Sequence, residues 1–259
     1  MVIPKVIHYC WFGDKPLGEK EIDCISTWSK YFEGYEIKCW NQDNYDVAQC
    51  AYVKEAYQNQ KWAFVSDYAR LDILYRYGGV YFDTDVEVVG SFEAILNNGP
   101  YMGIESVEKG VANVNPGLGM ASVSGLEVLK EILDTYKDDH FVLPDGSFNY
   151  KTIVERTTEC LVRRGLKGVD MLQDLGDITI YPSGYFNPID QATGLCTTGN
   201  ETRSIHHFGA SWQTDEMRRV GKIKQDLYRR FRWMPGRFRS AIAWMIYGFG
   251  DCKVRRKEK

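Results

Sequence analysis

The sequence lacks the features of a secreted or membrane-spanning protein. It contains no apolar run of about eighteen residues, and Met1–Tyr9 has no basic segment followed by an apolar stretch. Its seven cysteines are an odd number and form no C-x-x-C pair, which argues against a zinc-ligand spacing and favours a reducing compartment. We therefore expect a cytoplasmic protein without a membrane span.

The sequence also has little net charge, but this charge is unevenly distributed. Residues 217–259 hold fourteen Lys or Arg and three Asp or Glu, a net charge of +11, so the overall value of −3 leaves −14 on residues 1–216. Bulky apolar residues alternate with these cations, a combination that suits an anionic membrane surface. A helix that packs on its own domain is the alternative. The acidic remainder and the lack of a DNA- or RNA-binding motif argue against nucleic acid.

The first part of the chain has the pattern of a β-α-β unit. The β-branched segment Val2–Cys10 predicts a buried strand, Glu19–Tyr31 has helical apolar spacing, and Tyr35–Trp40 alternates as a strand does. Parallel strands joined by helices bind ligands at their carboxyl ends. Trp11 and the loop Asn41–Asp46 are expected at that edge.

A second helix and strand follow. Phe64–Tyr77 repeats apolar residues every three to four positions and ends at Gly78-Gly79, and the buried strand Val80–Phe82 then leads to the D-x-D motif of Asp83 and Asp85. Weaker patterns predict helices over 126–136 and 149–164, a strand over 178–181, and a flexible acceptor-side loop over 113–119.

The D-x-D motif has a defined chemistry. Alternate residues of an extended chain point the same way, so Asp83 and Asp85 can face one cation. Oxygen ligands favour Mg²⁺ or Mn²⁺. Such a cation would bridge the diphosphate of a nucleotide sugar and stabilise the charge of the leaving group. For an isolated D-x-D motif, a polar turn after a strand is the alternative.

Three blocks of the sequence resemble glycosyltransferase family 32 and the related clostridial glucosylating toxins. They are the helix SDYARLDILYRYGG with VYFDTDVEV, the opening IPKVIHYCWFG, and IHHFGASW near residue 212. The blocks span about the first 215 residues, whereas 91–202 matches poorly. The resemblance implies a GT-A-like α/β domain with a mixed central sheet over residues 1–215, followed by a helical basic tail over 216–259.

The resemblance also implies roles for individual residues. Donor-binding residues are expected at Cys10, Trp11, Asn44, Ser66, Asp67, Arg70, Tyr81, Asp83, Ser211 and Trp212. The catalytic group is Asp67, Arg70, Asp83 and Asp85. The metal ligands are Asp83, Asp85 and His206, with the adjacent His207 as the alternative to His206. The alternatives are a core Trp at position 11, a turn-forming Asn at 44 and an intrahelical ion pair between Asp67 and Arg70.

The predicted function is hexose transfer from a nucleotide sugar to a glycan or lipid-linked acceptor during surface (capsule) polysaccharide synthesis, at the inner face of the cytoplasmic membrane. UDP is preferred because Trp11 resembles a uracil-stacking residue. The resemblance implies retention of configuration, and a front-face mechanism is the hypothesis. Two alternatives are a haloacid-dehalogenase-like phosphatase with Asp83 as nucleophile and Asp85 as acid/base, and a non-catalytic glycan-binding protein on the same fold.

Overall fold

The computed structural model describes residues 2–190, 193–209, 215–231, 238 and 241–246. The chain divides into two compact units, one made of residues 1–188 and 198–208 and the other of residues 189–197 and 209–259. The predicted domain boundary after residue 215 remains a prediction.

The helices and strands of the described residues alternate along the chain. The helices are α1 (Glu19–Tyr31), α2 (Ala51–Gln58), α3 (Trp62–Tyr77), α4 (Glu93–Asn97), α5 (Glu127–Asp134), α6 (Ile153–Arg163) and α7 (Asp215–Arg230). The strands are β1 (Val6–Cys10), β2 (Glu36–Trp40), β3 (Gly79–Tyr81), β4 (Val86–Val88), β5 (Tyr101–Glu108), β6 (Val111–Val114), β7 (Met120–Ser122), β8 (Gln173–Asp174), β9 (Thr179–Tyr181), β10 (Ile189–Asp190), β11 (Leu195–Cys196) and β12 (Ser204–His206).

The first unit is built on an eight-stranded sheet in the order β2-β1-β3-β7-β5-β9-β8, with β6 paired to β5. Strand β1 is parallel to β2 and β3, and β5 is parallel to β9. Strand β7 runs antiparallel to both β3 and β5. The predicted α/β class with a mixed central sheet is confirmed.

The register of the parallel strands places the predicted site at one edge of this sheet. Cys10 pairs with Trp40, and His8 pairs with Tyr81, so the ends of β1, β2 and β3 lie side by side. Buried His8 bridges these strands, because its Nε2 lies 3.0 Å from the Gly78 carbonyl and its Nδ1 accepts from Trp40 Nε1 at 3.0 Å. Burial lowers the pKa of His8 to about 4, so the ring is neutral at pH 7.

Two glycines allow α3 to turn directly into β3. Gly78 and Gly79 have φ values of +65° and +104°, which side chains other than glycine rarely adopt. A Cβ at Gly79 would also lie 2.7 Å from the Val6 carbonyl oxygen. The turn therefore brings α3 against β1 and delivers the D-x-D motif to the sheet edge.

Strand β4 leaves the D-x-D motif and pairs antiparallel with β12, with Val86 opposite His206. Helix α1 fixes β4 from the other side, since Trp28 Nε1 donates to the Val86 carbonyl at 2.8 Å and Thr27 Oγ1 accepts from the Val88 N–H at 2.9 Å. Chain segments far apart in sequence thus meet beside the two aspartates.

The second unit contains the β10–β11 pair and α7. Arg229 Nε of α7 donates to the Thr193 carbonyl at 2.9 Å. The predicted helical character of the basic C-terminal part is confirmed for α7. None of the helices in the described ranges combines the length and apolar character that a membrane crossing requires.

Candidate active site

Two carboxylates and one imidazole converge at the carboxyl end of β3. One ligand atom from each of Asp83, Asp85 and His206 lies within 4.8 Å of the others. His206 Nε2 is 3.2 Å from Asp85 Oδ1 and 3.9 Å from Asp83 Oδ2. The antiparallel pairing of β12 with β4 explains this arrangement, because it places His206 opposite the residue that follows Asp85.

The adjacent histidine has different partners. His207 Nε2 lies 2.9 Å from Glu87 Oε2, and its backbone N–H donates to the Asp85 carbonyl at 3.0 Å. Successive residues of an extended chain point to opposite sides. The structure thus brings His206, rather than His207, to the carboxylates of the D-x-D motif.

Asp83 is held by a buried arginine. Arg70 Nη1 donates to Asp83 Oδ2 at 3.2 Å and Arg70 Nη2 lies 3.1 Å from Asp83 Oδ1, a two-point contact. Arg70 Nη2 is also 3.0 Å from Asp67 Oδ1, and Arg70 Nε donates to the Ser66 carbonyl at 3.1 Å. Tyr81 donates its hydroxyl to Asp83 Oδ1 at 2.9 Å. Both oxygens of Asp83 therefore have a fixed donor.

The candidate site carries several negative charges and is partly shielded from solvent. Burial raises the pKa of Asp83, and it raises the pKa of Asp67 to about 6 against the opposing effect of Arg70. Burial alone would lower the pKa of His206, but Asp85 and Asp83 raise it overall. Asp67, Asp83 and Asp85 thus bring three carboxylates to the site, and Arg70 contacts two of them, Asp67 and Asp83. A divalent cation would balance this charge. The two carboxylates are ligands that suit Mn²⁺ or Mg²⁺, and the His206 imidazole offers a nitrogen as a third ligand.

The predicted nucleotide end of the site lies at the ends of β1 and β2. Burial raises the pKa of the Cys10 thiol, so the thiol is neutral at pH 7. Trp11 is partly exposed and donates its Nε1–H to the Lys15 carbonyl at 2.7 Å. Trp62, which sequence reasoning missed, lies against Gly13, where a Cβ would come 2.9 Å from the indole.

Asn44 forms a turn in this structure. Its Nδ2 donates to the Cys39 carbonyl at 2.9 Å, and its Oδ1 accepts from the Asn41 N–H at 2.9 Å. Both ends of the Asn44 amide therefore form hydrogen bonds that stabilise the loop after β2. Ser211 and Trp212, the two C-terminal donor-binding candidates, lie outside the described residues.

The expectation of a flexible loop over residues 113–119 is wrong. This stretch contains the end of β6 and a buried 3₁₀-helix at Pro116–Leu118. A Cβ at Gly117 would lie 2.3 Å from Asp83 Oδ2 and 2.8 Å from Arg70 Nη1, so the turn packs directly on this ion pair. The glycines of this stretch suggested a flexible loop. In the structure, Gly117 instead allows the turn to approach the side chains of Asp83 and Arg70 closely.

Comparison with known protein families identifies part of the chain. Residues 18–101 match the family described as "Glycosyltransferase sugar-binding region containing DXD motif", and this stretch includes α1, α3 and both aspartates of the motif. The match covers about a third of the chain. No curated protein matches the sequence with significance. Residues 18–101 thus form a glycosyltransferase sugar-binding region with a DXD motif, as the resemblance predicted.

Three solved structures are similar to this chain at a distance. PaToxG glycosyltransferase has a TM-score of 0.46 and 18% identity over 63% of this chain and 70% of that protein. A glycosyltransferase involved in glycosylation of the major capsid of PBCV-1 has a TM-score of 0.47 and 11% identity, covering 79% and 94%. The galactosyltransferase LgtC, in complex with donor and acceptor sugar analogs, has a TM-score of 0.42 and 12% identity, covering 90% and 99%. These likenesses are too distant to carry an argument about individual residues.

Proposed function

We propose that this glycosyltransferase transfers a hexose from a UDP-sugar and uses Mn²⁺ or Mg²⁺ held by Asp83, Asp85 and His206. The observation that carries the proposal is the convergence of these three side chains, with their ligand atoms within 4.8 Å of one another. The cation would stabilise the negative charge that develops on the departing diphosphate.

Arg70, Tyr81 and Asp67 position the groups that bind the donor. Arg70 and Tyr81 hold Asp83 in one orientation through both of its oxygens. Arg70 provides a fork of donors next to the carboxylates, a geometry that suits a phosphate or a sugar hydroxyl. Asp67, with its pKa raised to about 6, is positioned by Arg70 to accept a hydrogen bond from a sugar hydroxyl at neutral pH.

The preference for UDP depends on Trp11. Its indole is partly exposed at the end of β1, where a base could stack on the ring. Retention of configuration and a front-face mechanism are part of the same proposal. The acceptor we propose is a glycan or a lipid-linked oligosaccharide of a surface polysaccharide such as a capsule.

The geometry disfavours the phosphatase alternative. A nucleophilic aspartate needs an oxygen that is free to attack phosphorus. Asp83 instead contacts Arg70 through both oxygens and accepts a further hydrogen bond from Tyr81. These contacts lower the nucleophilicity of the Asp83 carboxylate.

Nucleotide release tests the proposed function. The purified chain is incubated with UDP-glucose, UDP-galactose, UDP-N-acetylglucosamine or GDP-mannose, with Mn²⁺, with Mg²⁺ or with EDTA. We expect release of UDP from at least one donor, lost with EDTA and in Asp85→Ala. Glu87→Gln, on the neighbouring strand and paired with His207, is the matched control and keeps its activity. Metal-independent release, or full activity of Asp85→Ala, would refute the proposed site.

We also propose that the C-terminal segment binds an anionic membrane surface, which would hold the enzyme at the inner face of the cytoplasmic membrane. Support comes from the net charge of +11 over residues 217–259 and from Trp244, Met245 and Ile246, whose side chains are about half exposed. Flotation with phosphatidylglycerol liposomes tests this. Serine at these three positions of the full chain should reduce flotation, and equal flotation would remove membrane binding from the account.

A further inference from the structure

Glu105 lies at an irregular position of β5. The pairing of β5 with β6 shifts register between Ile104 and Ser106, so Glu105 is an extra residue on its strand. Such bulges re-aim a side chain and are frequent beside active sites. Asn187 Nδ2 donates to the Glu105 carbonyl at 2.9 Å and holds the irregular backbone. The carboxylate of Glu105 also contributes to the negative surroundings of His206.

The side chain of Glu105 fixes the orientation of Asn115. Glu105 Oε2 accepts from Asn115 Nδ2 at 2.6 Å, and because a carboxylate only accepts, the nitrogen end of the amide must face it. The oxygen end then accepts from the Gly117 N–H at 2.7 Å. Asn115 is 91% buried and also donates its backbone N–H to the Gly103 carbonyl at 3.1 Å.

This turn is in direct contact with the ion pair of the candidate active site. The space at Gly117 is so small that an added Cβ would lie 2.3 Å from Asp83 Oδ2 and 2.8 Å from Arg70 Nη1. A small displacement of the turn must therefore displace one of these groups. A series of contacts thus connects Glu105, through Asn115 and Gly117, to Asp83 and Arg70.

We propose that Glu105 is a positioning residue for glycosyl transfer, which fixes Asp83 and Arg70 through Asn115 and the turn at Gly117. The inference rests on the proposed function, because it assigns a role in that site. It assigns no contact between Glu105 and the substrate.

Exchanging the hydrogen-bonding groups tests the connection. Glu105→Ala removes the acceptor, and Asn115→Asp places two carboxylates face to face while still capping Gly117. Glu105→Gln can still accept from Asn115. In the double variant Glu105→Gln/Asn115→Asp the bond forms again with donor and acceptor exchanged. Glu108→Gln, on the exposed end of the same strand, is the matched control.

We expect kcat for UDP release to fall about tenfold or more in Glu105→Ala and in Asn115→Asp, with KM for the donor changed less than about threefold. Glu105→Gln and the double variant should remain within about threefold of wild type. If the double variant is no better than Asn115→Asp, the proposal is wrong. Loss of activity in Glu105→Gln equal to that in Glu105→Ala would also overturn it, because the negative charge itself would then be required.

A second readout separates this inference from the proposed function. Titration of Mn²⁺ alone, followed by electron paramagnetic resonance, should show weaker binding in Asn115→Asp and recovery in the double variant. If wild type releases no nucleotide, the proposed function fails, and the Mn²⁺ titration still decides the role of Glu105. Asn115→Ser can cap Gly117 but cannot reach Glu105, and it replaces any variant that does not fold.

Discussion

Replacing Arg70 by methionine should destabilise the first unit strongly, because it leaves two carboxylates without their cation. Arg70 is 5% exposed and pairs with Asp83 and Asp67, whose side chains are 24% and 15% exposed. Methionine keeps much of the apolar volume, so the loss is mainly electrostatic.

The magnitude follows from burial. Removing one partner of a fully buried ion pair costs about 3–5 kcal/mol, and the partial exposure of the two aspartates reduces this to about 2–4 kcal/mol. Protonation of the carboxylates relieves the repulsion, so the cost at pH 5 should be smaller than at pH 7.5. The pKa values of Asp83 and Asp67, already raised by burial, should rise further without Arg70.

Urea unfolding at both pH values measures this cost. Asp83→Asn in the Arg70→Met background should recover part of it, since it removes one of the unpaired charges. Lys130→Met breaks the exposed ion pair with Asp134 on α5 and should cost far less than Arg70→Met, because solvent screens the pair. A cost for Arg70→Met equal to that of Lys130→Met, or independent of pH, would refute the reasoning.

Three further predictions concern single positions of the site. His206→Ala should weaken Mn²⁺ binding about tenfold or more, whereas His207→Ala should leave it unchanged, as calorimetry can show. Gly117→Ala should lower metal-dependent UDP release about tenfold, because its methyl group displaces the ion pair; Gly184→Ala, where the added methyl group meets open space, is the control. The folded-state pKa of Asp67, about 6, exceeds the ordinary 3.8, so the folded state binds this proton more tightly. The contribution of Asp67 to stability therefore grows as pH falls from about 6 towards 4 and is lost as pH rises through about 6. Asp67→Asn should lack this contribution, up to about 3 kcal/mol, and identical pH dependence of urea unfolding in the two proteins would contradict it.

Local patterns predicted the part of the site that is continuous in sequence. The apolar periodicity of Phe64–Tyr77, the Gly78-Gly79 pair and the apolar segment Val80–Phe82 correctly indicated a helix, a turn and a strand that ends at the D-x-D motif. The β-α-β opening was also predicted, and α1 has the predicted bounds Glu19–Tyr31. In each case a clear apolar periodicity is followed, within a few residues, by a glycine that ends the helix.

The rest of the site depends on contacts that no local pattern encodes. Glu105, Asn115 and Gly117 meet the D-x-D motif because a bulge in β5 and a buried 3₁₀-helix bring them there. The pairing of β12 with β4 joins residues about 120 apart, and such short strands do not specify their register in the sequence. Family resemblance indicated His206, whereas the side-chain periodicity alone did not.

Helix α6 begins later in the chain than the apolar pattern predicted, because a capping motif fixes its first residue. The helical pattern over 149–164 is correct in its interior, but the helix begins at Ile153 because Thr152 and Glu155 form a reciprocal capping box. The preceding residues instead accept and donate hydrogen bonds within the loop. A Thr followed by Glu three positions later was the available signal.

Titration calorimetry of UDP, with and without Mn²⁺, on wild type and Asp85→Ala tests the central claim most directly. GDP under the same conditions reports the choice of base. We predict that UDP binds only with Mn²⁺ and that Asp85→Ala abolishes this binding while the protein stays folded. Binding of UDP that is independent of the metal, or that is unchanged in Asp85→Ala, would contradict a cation site at Asp83, Asp85 and His206.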